Sequence, residues 1–264
     1  MNIDKRAIVS EKAKIGRDVE IGPFAIIEEG VELGRRVKVW PHAHVCSGSV
    51  IGEETQIHMG AVVGHVPQDL TFENKRSFLN IGKRNVIREY VTIHRGTKEG
   101  SATVIGDDCY LMAVAHVGHN CRIGNKVIIA NCALLAGHVT VEDGSFISGN
   151  VVVHQFCRIG ELSIIGGFTG INKDVPPYML VRGPSVVRGV NLIGLRRSKL
   201  PKEGIDKIKE AFRLLYESDL NTAQAIDQIK KLGASKELSH LVEFIQGSKR
   251  GICKYKYSDA EYFE

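Results

Sequence analysis

Aromatic residues make up only 6% of this 264-residue chain, which contains a single Trp. A chain of this length buries a large core, so that core must be filled by aliphatic side chains, and the 43% of hydrophobic residues supply them. Long apolar runs are missing too. No stretch approaches the roughly eighteen uninterrupted apolar residues of a membrane-spanning helix, which excludes an integral membrane segment of that kind. Charge of one sign is also sparse. The net +5 is spread along the chain, without the dense basic stripe of a nucleic-acid binder. The six cysteines match no zinc-module spacing, and no metal or cofactor is expected.

What the chain does have is a period of six. From Ile3 to Ile171 every sixth residue is aliphatic, with breaks only at Asp69, Lys75 and Glu99. Four places further on stands a small or β-branched residue, such as Ala7, Ala13, Ala115 or Ala133, and Cys109, Cys121 and Cys157 fill the same slot. Such a period fits neither a helix nor a free-standing amphipathic strand. It fits a prism of short parallel strands, three hexapeptides to a coil, with residues eighteen apart stacked at roughly 4.8 Å. Between nine and ten coils are expected, with Gly, Asn or Asp turning the corners. The repeat begins at Ile3, which leaves no room for a signal peptide and predicts a cytoplasmic protein with reduced cysteines.

Two interruptions and a change of composition divide the chain. Polar residues and Pro67 replace the repeat from Gly64 to Asn80, so a loop should leave the prism there. A shorter excursion covers 98–102. After Pro176-Pro177-Tyr178 the period fades, and from Pro201 onward Ile205, Ile208, Phe212 and Leu215 follow helical spacing. Two more helices are expected over 223–232 and 236–245, covering the open end of the solenoid, and the tail from Gly247 is left unassigned. The expected division is a repeat domain over 1–190 and a helical domain over 191–264.

Histidines gather in the second half of the repeat. Eighteen-residue stacking places Gly137 on His119 and His138 on Asn120, with His154 and Gln155 one coil on and His116 close by. One such histidine would be a solvated surface residue; several stacked on one edge point to a site. A neutral imidazole is the usual general base near neutral pH. Glycine beside it offers a backbone N–H to an oxyanion. With no Ser or Cys nucleophile evidently placed, the residues suggest direct acyl transfer in a ternary complex, donor and acceptor unnamed.

An ordered set of motifs then carries a resemblance over nearly the whole chain. Pro67-Gln68-Asp69-Leu70, Ile93-His94-Arg95-Gly96-Thr97, Ala115 to Cys121, Leu135-Ala136-Gly137-His138-Val139, Val153-His154-Gln155-Phe156, Asp174 to Tyr178 and Gly189 to Arg197 occur in sequence. Together they resemble the UDP-N-acetylglucosamine O-acyltransferases, which use acyl carrier protein in the first step of lipid A synthesis. The resemblance implies a left-handed parallel β-helix, mainly β with a C-terminal α-helical part, assembled as a homotrimer with sites between subunits. It implies His119 as base and Gly137 as oxyanion donor. It assigns Asp69, His116, His138, His154 and Gln155 to the sugar and acyl site, and Asn191 and Arg197 to the nucleotide. Gly167, stacked on Gly149 and Asn131, matches the position that limits acyl length.

The match is imperfect. Asn120 stands where Asp is usual, Thr71 where Lys is, Ile193 where Glu is and Ser198 where a second Arg is, with Lys75 a possible substitute for the Lys. The acceptor is therefore UDP-N-acetylglucosamine or a variant with an amine at C3. Rival readings are a zinc-dependent carbonic anhydrase on the same solenoid using His94, His116 and His119, an acyltransferase for the next sugar intermediate, a coenzyme A-dependent acetyltransferase, and a non-enzymatic scaffold.

Overall fold

The chain, described over residues 2–255 in a computed structural model, is a left-handed parallel β-helix with helices at its C-terminal end. Residues 256–264, the end of the unassigned tail and of the expected helical domain, lie outside the described part. Twenty-six short strands run from Asn2–Ile3 to Gly170–Ile171. They build three flat faces: a first beginning with Asn2–Ile3, a second with Ile8–Val9 and a third with Lys14–Ile15. Each two-residue strand points one side chain out and the next in. The inward column is the aliphatic period: Ile27, Ile57, Ile87, Leu111, Ile129 and Leu135 are all at 1% exposure or less.

Register follows the predicted stacking. Ile15 pairs with Leu33 and Val117 with Leu135, each eighteen residues on (33 − 15 and 135 − 117). Around the two excursions it lengthens. Ile57 pairs with Ile87, thirty residues on (87 − 57), and Ile87 with Leu111, twenty-four on (111 − 87). The slots at Asp69, Lys75 and Glu99 therefore lie in protruding loops, and the solenoid has just under nine coils rather than the nine to ten expected. Both excursions leave at one corner, between the second and third faces.

The corners differ from expectation as well. Left-handed φ occurs at Phe24, Tyr90, Val114 and Phe168 as well as at Asn and Asp. The glycines after the aliphatic residue have another reason to be there. A Cβ on Gly16 would lie 2.6 Å from the backbone of Gly34, and one on Gly106 2.7 Å from that of Gly124. Close coil-to-coil approach, not backbone conformation, demands glycine at these positions.

After Ile171 the first face continues through Met179–Val181 and an antiparallel strand, Val186–Val190, on which Lys254–Tyr255 later pairs. Four helices intervene: α1 (Leu192–Arg197), α2 (Lys202–Tyr216), α3 (Thr222–Lys231) and α4 (Lys236–Gln246). The last three match the helical spacing; α1 and the strands after 178 were not anticipated. Buried Asp174 ties the tail back: its carboxylate accepts from Arg158 N and the Ser248 hydroxyl, and its carbonyl from Cys253 N.

Candidate active site

The corner that releases both excursions also carries the histidine stack. Rung by rung it presents the loop with Asp69 and Thr71, then Thr97 and Lys98, then His119 and Asn120, then Gly137 and His138, then Gln155 and Phe156. Their common corner explains why they meet. His138 N donates to the His119 carbonyl at 2.9 Å, which confirms the predicted stacking of these two coils.

Asn120 orients His119. Its Oδ1 accepts from Thr97 N at 3.1 Å and Thr97 Oγ1 at 3.0 Å, and lies 3.0 Å from His119 Nδ1. A backbone N–H only donates, so the atom facing it must be the oxygen. His119 Nδ1 must then carry the hydrogen, which leaves Nε2 as the basic nitrogen of the neutral ring. That nitrogen stands 4.0 Å from Asp69 Oδ2. Asn120 thus performs the orienting task that a carboxylate performs elsewhere.

Gly137 lies under the imidazole. A Cβ there would sit 2.4 Å from His119 Cε1 and 2.5 Å from Nε2, so only glycine leaves the ring in place. Among the described residues no acceptor takes the Gly137 N–H. On the far side, His138 packs edge-on against His119 at 5.2 Å between ring centres and stacks on Phe156 at 4.6 Å.

The surrounding histidines are held neutral. Burial, then the neighbouring His94 and His119, press His116 down to about 4. Burial also lowers His94, whose Nδ1–H is given to the Val66 carbonyl. His138 is lowered by burial, by His119 and by Lys98. Asp69 is held below the usual carboxylate range by the Thr71 amide and hydroxyl, which donate to Oδ1 at 2.9 and 2.8 Å. The corner therefore sets an ionised Asp69 beside three imidazoles, those of His94, His116 and His138, whose protonation burial disfavours.

Thr97, Thr103 and Lys98 were missed in the sequence. Thr103 Oγ1 accepts from Asn120 N at 2.8 Å, completing the support of the turn. Thr71 is spent on Asp69, and Lys75 pairs with Glu73 at 3.3 Å rather than reaching inward, so Lys98 is the lysine whose charge is felt here. His116 Nδ1 meets Thr92 Oγ1 at 2.8 Å, while His154 and Gln155 are exposed at the far end of the stack. His94, His116 and His119 form no three-donor cluster of metal-binding dimensions among the described residues.

The remaining sequence-derived residues lie elsewhere in the chain. Asn191 and Arg197 border a groove of 1340 Å³ along the first face, walled by Ile128, Phe146, Ile164 and Leu180. The Asn191 side chain is committed to structure: Nδ2 donates to the Leu162 carbonyl at 2.7 Å, and Oδ1 caps α1 through Gly194 N. Gly149 and Gly167 lie at the corner between the first and second faces. A Cβ on Gly167 would meet the Gly149 carbonyl at 3.3 Å, and neither glycine has left-handed φ.

Comparison with known proteins agrees with this geometry. A hexapeptide-transferase repeat model matches residues 12–47 and 102–137, and a UDP-N-acetylglucosamine O-acyltransferase domain 2 model matches 174–253. The acyl-(acyl-carrier-protein)–UDP-N-acetylglucosamine O-acyltransferase of Alkalilimnicola ehrlichii is 48% identical over 255 residues, 96% of this chain and 99% of that protein. Its counterpart from Thermodesulfovibrio yellowstonii is 44% identical over the same shares. The solved UDP-N-acetylglucosamine acyltransferase of Bacteroides fragilis superposes with a TM-score of 0.92 at 41% identity, over 95% of this chain and 99% of that one. This chain belongs to the UDP-N-acetylglucosamine O-acyltransferase family.

Proposed function

We propose that this protein transfers a 3-hydroxyacyl group from acyl carrier protein to the 3-position of UDP-N-acetylglucosamine. The observation that carries the mechanism is the Thr97–Asn120–His119 relay, which leaves His119 Nε2 unprotonated beside Gly137. His119 Nε2 takes the proton from the sugar 3-hydroxyl as its oxygen attacks the thioester carbonyl. The Gly137 N–H donates to the oxyanion that forms, a contact made only as charge develops. Collapse expels the carrier thiolate, which recovers the proton from His119. Asp69, His116, His138, His154 and Gln155 line the sugar and acyl site in this reading, and Arg197 faces the nucleotide diphosphate.

A homotrimer completes the site. Within one chain the His119 corner and the Arg197 groove lie at different corners, and in this reading one substrate contacts both where two copies meet. The outward residues of the third face include Lys14, Glu32, Arg122 and Arg158, whereas the second face exposes Leu134 at 42% and Val152 at 52%, and the first carries Tyr110, Ile128, Phe146 and Ile164. Packing the first face of one copy on the second of another is heterologous and closes as a three-fold ring.

The test is direct. Purified protein is incubated with 3-hydroxyacyl carrier protein and UDP-N-acetylglucosamine, or in parallel its 3-amino analogue, and the nucleotide sugar is analysed by mass. Acylation of the hydroxyl substrate is the expected result. Acylation of the amine alone would reassign the acceptor, and no acylation of either would overturn the reading.

A further inference from the structure

Three rungs toward the N-terminus from His116, the second face carries a different grouping. Glu28, His44 and Cys46 each offer one donor atom, and the three donors lie within 4.8 Å of one another. No other three His, Cys, Asp or Glu donors among the described residues gather this closely. Register puts them together. The strand Ile26–Ile27 pairs with His44–Val45, so Glu28, which follows the first, stacks under Cys46, which follows the second. His44 stands two residues before Cys46, on the same side of an extended chain.

We propose that Glu28, His44 and Cys46 bind one divalent cation of the zinc class and clamp two successive coils. A carboxylate, an imidazole and a thiolate suit a borderline ion; calcium and magnesium take oxygen donors. Zinc–donor distances of about 2.0–2.3 Å put tetrahedral donors roughly 3.5 Å apart. His44 Nε2 and Glu28 Oε1 stand 2.8 Å apart across a shared proton, and they open slightly as the metal replaces it. The widest pair, no more than 4.8 Å apart, closes by at most about 1.3 Å, within reach of a side-chain rotation. The ion enters from solvent, because the His44 and Glu28 side chains are 30% and 37% exposed while Cys46 lies beneath at 3%. Ser47 N holds the second Glu28 oxygen at 2.8 Å, orienting the carboxylate from behind. Arg95 reaches the Ser47 carbonyl at 3.4 Å and adds a positive charge nearby, which disfavours a site whose ligands leave the ion uncompensated. A thiolate and a carboxylate compensate it. Water fills the fourth position.

The clamp sits near the weaker end of the solenoid, where Ile3 and Ile8 are 39% and 64% exposed. Metal-stripped full-length protein is titrated with Co2+. One equivalent should bind with a near-ultraviolet thiolate-to-cobalt band, displaced by Zn2+. The band should vanish in Cys46→Ser and His44→Ala and persist in Cys132→Ser, which removes the exposed cysteine. Zn2+ should raise the Tm of the wild type and leave that of Cys46→Ser unmoved. A saturated wild type without the thiolate band, or a band that survives Cys46→Ser, overturns the proposal. Each variant is first checked for wild-type circular dichroism; if Cys46→Ser fails to fold, His44→Ala with Cys46 intact decides the same question.

Discussion

The Thr97 amide selects the His119 tautomer, and Gly137 keeps the space that this ring occupies. Both effects act across three successive coils at one corner and touch none of the aliphatic column. Replacing His119 by Ala should lower kcat by at least about 10²-fold, the lower range for loss of a general base, with little change in Tm. Gly137→Ala should be nearly as damaging for a different reason, since its Cβ displaces the imidazole while the coil beneath stays folded. Steady-state kinetics alongside thermal melts check the pair. Near-normal turnover in His119→Ala would remove that residue from the mechanism.

Among elements, α4 and the second face carry the most distinct expectations. His240 on α4 meets Glu142 of the third face at 2.7 Å and Glu161 at 4.0 Å, and Arg158 stacks on Phe244 at 4.0 Å. The Glu142 hydrogen bond and nearby carboxylates raise the His240 pKa, with burial opposing. The folded state therefore holds this proton more tightly than the unfolded one. The contribution is full below about pH 6.5 and is lost as pH rises through the folded value. His240→Gln should lower Tm at about pH 6, and the deficit should narrow at about pH 9; an equal deficit at both would assign His240 a packing role only. His116 slopes the other way. Its depressed pKa costs stability as pH falls from about 6.5 toward 4.

On the second face, Leu134 and Val152 form an exposed apolar track between the His119 corner and the Gly149–Gly167 corner. We propose that the acyl chain lies along that track toward Gly167, where the Gly149 carbonyl would be 3.3 Å from a new Cβ. Gly167→Met should shift preference toward shorter 3-hydroxyacyl chains. Competing long and short acyl carrier proteins measures it, and an unchanged preference in an active variant would return Gly167 to coil packing alone.

For the whole molecule, charge bears on the donor. Arg182, Arg188, Arg196, Arg197 and Lys199 are exposed, and none joins an ion pair among the described residues. They cluster where the solenoid gives way to α1, and we propose that this patch attracts an acidic carrier protein collectively rather than through one contact. The donor KM should rise with ionic strength over the range in which the Debye length shrinks to about 8 Å and below. A KM indifferent to salt would place carrier docking elsewhere. In solution, light scattering should report three times the 29.0 kDa chain mass.

The period of six determined the prism, its inward column and the stacking of His119 on Gly137, because an eighteen-residue coil leaves each side chain one possible neighbour above and below. It also marked both excursions, through the slots lost at Asp69, Lys75 and Glu99. Only the tertiary structure decided what those excursions do. Periodicity reports residues that repeat, and Thr97 meets Asn120, twenty-three positions on (120 − 97), across a coil lengthened to twenty-four residues (116 − 92), where eighteen-residue arithmetic fails. The same limit hid α1 and the capping task of Asn191, which depend on a hydrogen bond back to Leu162. It hid the Glu28–His44–Cys46 grouping as well: the stacking was calculable, but whether three donors turn toward one point is settled by side-chain direction, and no spacing records that.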